Sequence, residues 1–215
     1  MIDIVSEINA TTREVAEATT PTGPGHVIRL QRDYDAPIED VWDAFTDPDR
    51  IGRWFLPISG DYRLGGRYQF EGNAGGEIVA CERPNRLQVT WAYGEEITEA
   101  NTSVVEVRLS SVDGGKTRLD FAHTAAVPDE MWDEYGPGAV GVGWDGGMLG
   151  LALHLQGGTI GDSMAWQVSD EGRDFYTRCA RAWGEASRAA GADAATIERN
   201  VASTTMFYAP PPEAT

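Results

Sequence analysis

The chain has 215 residues, enough for one domain with a sizeable core and some extension. It is 41% hydrophobic with seven Trp, seven Tyr and six Phe, a composition that excludes a disordered chain. Acidic residues outnumber basic ones, 34 to 17, and the formal charge of −17 would repel phosphate backbones and anionic membranes, so nucleic acid is set aside as a partner.

Residues 1–25, ending "TTPTGPG", are read as an N-terminal arm in which no element is assigned. No basic-then-apolar leader is seen, and the two cysteines, Cys81 and Cys179, form no CxxC pair, so a cytoplasmic location is expected. Regular patterning begins at "HVIRLQRDY", where Ile28, Leu30 and Tyr34 alternate with polar partners as in a half-buried strand. "APIEDVWDAF" then reads as a helix, with Pro37, Glu39 and Asp40 at its start and Ile38, Val41, Trp42 and Phe45 on one apolar face. "DPDRIGRWF" breaks that helix and adds one short helical turn.

From residue 60 to 124 the pattern is β, and short turns joining consecutive strands predict an antiparallel meander of about six strands. Its inward-facing residues are expected to be Tyr68, Phe70, Trp91, Tyr93, Phe121 and His123. After "VPDEMWDEYGPGA", a loop expected to cover a cavity mouth with Trp132 and Tyr135, the period turns helical through Trp144, Met148, Leu151 and Leu155. A second helix follows with Phe175, Cys179, Ala182 and Ala186 as its stripe, then a shorter third through Ile197, Val201 and Thr204. The longest apolar run, "MLGLALHL", is too short to span a bilayer, so no membrane insertion is expected.

"GVGWDGG" fits G-x-G-x-x-G through Gly141, Gly143 and Gly146, but loop rather than strand precedes it, and Asp145 would put a negative charge where a diphosphate must lie. We read it as a packing device in which missing Cβ atoms let backbones approach. This order of elements predicts an α+β fold: a bent antiparallel sheet wrapped around the late helix, with aromatic rings facing irregular space of the kind that takes ligands.

"YDAPIEDVWDAFTDPDRIGRWFLP", "GGRYQFEGNAGGEIVACERPNRLQVTWAYG" and "GPGAVGVGWDGGMLGLALHL" resemble the SRPBCC (START and polyketide cyclase-like) superfamily, and within it the branch of the activator of heat-shock protein 90 ATPase homologues. The resemblance covers residues 26–157 and implies a helix-grip (START-like) fold with an internal hydrophobic cavity. It implies no single activity and carries no catalytic motif. The arm 1–25 and a C-terminal helical extension, 158–215, lie outside the shared core; the extension is expected to pack on the same domain, and capping the cavity, altering it or making an oligomer contact are the roles open to both.

No pair among His26, His123 and His154 stands at metal-ligand spacing, so no metal, no cofactor and no catalytic residue is assigned. His123 is expected to be a satisfied histidine at the core or cavity rim rather than a base, and His154 a helix-flank residue. Glu82 shares the parity of Ile78 and would face inward unless a bulge intervenes; a rim ion pair with Arg67 or Arg86 is the favoured alternative. Trp54 and Phe55 are placed near the cavity mouth as plug or gate. The ligand-binding set is therefore Trp54, Phe55, Tyr68, Phe70, Trp91, Tyr93, Phe121, His123, Trp144, Met148 and Leu151. Three functions follow in order of support: binding of a hydrophobic small molecule as carrier or sensor, a cyclase, dehydratase or hydrolase reaction, and a chaperone-associated role. A homodimer is left open.

Overall fold

The computed structural model describes residues 2–94, 98 and 101–212. It opens with helix α1 (Ile4–Asn9), then strand β1 (Thr11–Thr20), so the arm holds regular structure; residue 1 lies outside the described residues. Strand β2 (Gly23–Tyr34) pairs with the whole length of β1, from Thr11 opposite Arg32 to Thr20 opposite Gly23. Helix α2 (Ile38–Thr46) buries Val41 and Trp42 of the expected apolar face together with Ala44, while Ile38 and Phe45 are partly buried. Asp47 then accepts the amides of Asp49 and Arg50 at 2.9 and 3.1 Å, which caps the single turn α3 (Pro48–Ile51).

The meander follows as β3 (Ile58–Gly60), β4 (Arg67–Phe70), β5 (Gly75–Glu82), β6 (Arg86–Ala92), β7 (Thr102–Val112) and β8 (Lys116–Ala125). β8 pairs back onto β2, giving one antiparallel sheet in the order β1-β2-β8-β7-β6-β5-β4-β3. Burial alternates along β4 and β8, as it must where one face meets core and the other water. Between Ile78 and Ala80 the β5–β6 register shifts, and this bulge reverses the alternation for the rest of β5.

Helix α4 (Asp129–Tyr135) leads into α5 (Gly138–Leu155), the helix that the curved sheet grips. The Tyr34 hydroxyl donates to the Met148 carbonyl at 3.2 Å, and Trp144 packs on Phe121 with ring centroids 4.4 Å apart. The long α7 (Asp170–Ala189) and α8 (Ala194–Tyr208) cover the other side of α5, and the short α6 (Ser163–Gln167) packs on α7. The last three residues of the expected C-terminal extension, 213–215, lie outside the described residues.

The glycine run sits inside α5, and no strand delivers it. A Cβ at Gly141 would collide with the Trp183 indole of α7, and one at Gly150 with the Trp54 carbonyl, so α5 is pressed from two sides by groups that leave no room for a methyl. Asp145, within the same run, is fully buried and tied to β1. Arg13 reaches it with Nε at 3.0 and 3.2 Å and with Nη2 at 2.8 Å, while Trp183 donates its N–H at 2.9 Å. Burial pushes the Asp145 carboxyl above the usual carboxylate range, and Arg13 and Trp183 pull against that shift by donating into the ionised form. The arm, α5 and α7 are thus joined at one buried ion pair.

Candidate functional site

Between the α2–α3 corner and the inner face of the sheet lies a hollow of about 130 Å³. The corner contributes Phe45, Ile51, Trp54 and Phe55. The sheet contributes Tyr68 and Phe70 from β4, Ile78 from β5, Leu87, Val89 and Trp91 from β6, Val105 and Val107 from β7, and Phe121 from β8. α5 contributes Trp144. Alternate positions on neighbouring strands bring these side chains to one surface, and the bend of the sheet turns that surface into a concavity.

The aromatic rings form a connected wall. Phe55 stacks on Trp144 with centroids 5.8 Å apart and planes 7° apart, and meets Phe70 edge-on at 5.0 Å. Trp91 stands 4.9 Å from Trp144 and 5.6 Å from Phe70. Trp54 is anchored by its indole N–H on the Ala44 carbonyl at 2.9 Å, so the corner carrying Phe55 is fastened to α2. Tyr62, Arg63 and Cys81 line the hollow and are exposed, which places its mouth at the β3–β4 connection and the end of β5.

Of the residues named from the sequence, Trp54, Phe55, Tyr68, Phe70, Trp91, Phe121 and Trp144 are brought together around the hollow. Tyr93 is a correction: β6 ends at Ala92, so strand alternation no longer governs the next residue, and Tyr93 is 61% exposed. Met148 and Leu151 are buried in the contact between helix and sheet but do not line the hollow. Trp132 and Tyr135 are a second correction, for they lie on α4 and not over the mouth. Trp132 stacks on His26 with centroids 3.4 Å apart, and Tyr135 meets Phe207. Trp132 and His26 border a separate cavity of about 30 Å³.

His123 also borders that smaller cavity and not the hollow. Its Nδ1 accepts the Trp144 indole N–H at 3.0 Å, so Nε2 must carry the ring proton, and it faces Ser103 Oγ at 2.7 Å. Ser103 in turn donates to the Trp91 carbonyl at 2.8 Å. Burial lowers the His123 pKa to about 4, so the imidazole is neutral and both nitrogens are occupied. His154 lies on the α5 flank, where it accepts from Arg50 at 3.4 Å. The bulge in β5 turns Glu82 outward to Arg86 at 3.0 Å and brings Cys81, opposite Leu87, into the lining.

Leu87, Val89, Val105 and Val107 also line the site without having been expected there: Leu87 and Val89 share the parity of Trp91 on β6, and Val107 and Val105 stand opposite them on β7. Arg63 and Cys81 carried no signal, since a connection and a bulge place them. Among the described residues, no group of three or more His, Cys, Asp or Glu converges as metal ligands, and no helix is long and apolar enough to cross a membrane.

The family model described as Activator of Hsp90 ATPase homolog 1-like protein matches residues 35–155. Among solved structures, CalU16 from Micromonospora echinospora is 34% identical with a TM-score of 0.67, and the match spans 82% of this chain and 98% of that one. PFC0360w, described as an HSP90 activator from Plasmodium falciparum, is 23% identical with a TM-score of 0.52, spanning 61% of this chain and 96% of that one. DynU16, described as a protein of the dynemicin biosynthetic locus, is 24% identical with a TM-score of 0.51, spanning 62% of this chain and 48% of that one. The latter two likenesses concern the fold alone. No curated protein matches the chain.

Proposed function

The chain belongs to the Activator of Hsp90 ATPase homolog 1-like family of the SRPBCC superfamily, and from that premise we propose that it binds a compact apolar ring compound in the hollow beneath Trp54 and Phe55. The observation that carries this reading is a partly open concavity of about 130 Å³ lined chiefly by aromatic and aliphatic carbon. Irregular apolar space of this kind is costly to leave unfilled, because its lining forgoes dispersion contacts on one side. An apolar cavity of about 150 Å³ stays dry and takes up benzene. Sites for drug-sized molecules run from roughly 300 Å³ upward. Size therefore favours one ring or a small fused pair.

A carrier or sensor role accounts for the site better than acid–base chemistry. His123 has its acceptor nitrogen occupied by Trp144, and Glu82 is turned to the rim. In this reading residues 26–157 hold the ligand, while the arm and the C-terminal helices brace α5 from behind.

The test is calorimetric titration of the full chain with indane, followed by crystals grown with the ligand. Saturable one-to-one binding, with density between Phe55 and Trp91, is expected. No saturable uptake of indane or of any comparable ring compound would overturn the proposal.

A further inference from the structure

Trp91 is 5% exposed and lines the hollow, yet its indole N–H has no hydrogen-bond partner among the described residues. A buried donor without an acceptor is uncommon and destabilising, and a native structure that keeps one calls for an explanation. The polar groups nearby are already engaged. The Tyr68 hydroxyl donates to the Thr90 carbonyl at 2.7 Å, His123 Nδ1 takes the Trp144 N–H, and Ser103 bridges His123 to the Trp91 carbonyl. The rings next to Trp91, those of Phe55, Phe70 and Trp144, present carbon.

We propose that Trp91 is the polar anchor of the hollow, its indole N–H taking a carbonyl-type oxygen carried by an otherwise apolar ring ligand. The proposal rests on the reading of the hollow as a ligand site and narrows the ligand's chemistry. Water serves poorly here, since a buried water typically makes about three hydrogen bonds and this part of the wall offers one unengaged donor, the Tyr68 hydroxyl being already given to Thr90. A ring ketone supplies its own acceptor while its hydrocarbon body fills the apolar space. A carboxylate fits less well, because the lining's one cationic side chain, Arg63, is at the mouth and already paired with Asp61 at 2.6 Å. Orientation follows from the same geometry: the oxygen faces β6, and the ring body lies against Phe55 and Trp144.

The experiment compares indane with indanone, which share a carbon skeleton and differ by one carbonyl, on the full chain and on Trp91→Phe. Calorimetry gives the ratio of the two affinities in each protein, so that the differing hydration of the probes cancels. The ratio is expected to favour indanone by roughly three- to tenfold more in the wild type than in the variant, the range of one net hydrogen bond. In amide spectra the Trp91 indole cross-peak is expected to move downfield with indanone and not with indane. Equal ratios in the two proteins, or an unmoved cross-peak at saturating indanone, overturn the anchor while leaving the hollow as a binding site. Binding of neither probe overturns both readings. Should Trp91→Phe fail to fold, the cross-peak, assigned through contacts to Phe70 and Trp144, decides alone.

Discussion

The Trp144 indole donates to His123 Nδ1 across 3.0 Å, and that bond requires the imidazole to be neutral with its proton on Nε2. Protonating His123 would set an N–H against an N–H in a buried wall, which agrees in direction with a pKa lowered by burial to about 4. The unfolded chain takes up this proton near pH 6.5, whereas the native state resists until about pH 4. Stability from this residue is therefore complete above the unfolded pKa and falls as pH drops through that window. Its size is about 3 kcal/mol. Urea unfolding between pH 7 and pH 5 is expected to show a shallower decline in His123→Gln than in the wild type. Parallel declines would remove His123 as the cause.

Asp145 and Arg13 are both almost fully buried, so removing one charge strands the other. Asp145→Asn is expected to cost about 3–5 kcal/mol in urea unfolding. Adding Arg13→Met removes the stranded cation and leaves an amide oxygen for the Trp183 N–H. The double variant is expected to recover most of the loss, and a double variant less stable than Asp145→Asn would contradict this account.

Two glycines of α5 separate packing from propensity. Gly141→Ala drives a methyl into the Trp183 indole and is expected to destabilise by about 1–3 kcal/mol. At Gly147 the nearest side-chain atoms to a new Cβ, those of Phe55, stand 3.7 Å away, an ordinary contact. Gly147→Ala is expected to be neutral or to stabilise by up to about 1 kcal/mol through helix propensity. Thermal melts of the pair check the contrast.

Phe55 closes the hollow by stacking on Trp144, so Phe55→Ala should enlarge the space. Because Phe55 is only partly buried, a cost of about 2 kcal/mol is expected, below the range for a core phenylalanine. Ligands one ring larger than indane should gain affinity relative to indane by calorimetry. An unchanged size preference would show that Phe55 does not bound the site.

Much of the sheet and the site was legible because β4, β6 and β8 obey period-two alternation, and Tyr68, Phe70, Trp91 and Phe121 could be assigned to one face from spacing alone. Tyr93 was misplaced because the same rule was carried one residue past the strand's end. β1 was illegible for the opposite reason: "TTREVAEATT" is poor in large apolar residues, and β2 supplies its order through backbone pairing. The pair of Arg13 and Asp145 spans 132 residues, a distance over which local pattern says nothing. Trp132 was assigned to a lid because "EYGPG" reads as loop, whereas a face-to-face stack on His26 holds it against β2.

The extra residue in β5 has a consequence for redesign. With the bulge in place a thiol reaches the rim of the cavity and a carboxylate looks away from it. Excising Val79 would restore strict pleating yet leave Cys81 opposite Leu87 and Glu82 opposite Arg86, whereas strict pleating with Val79 retained would exchange sulfur for negative charge at the entrance. Backbone count, as much as side-chain identity, decides what an incoming molecule first meets.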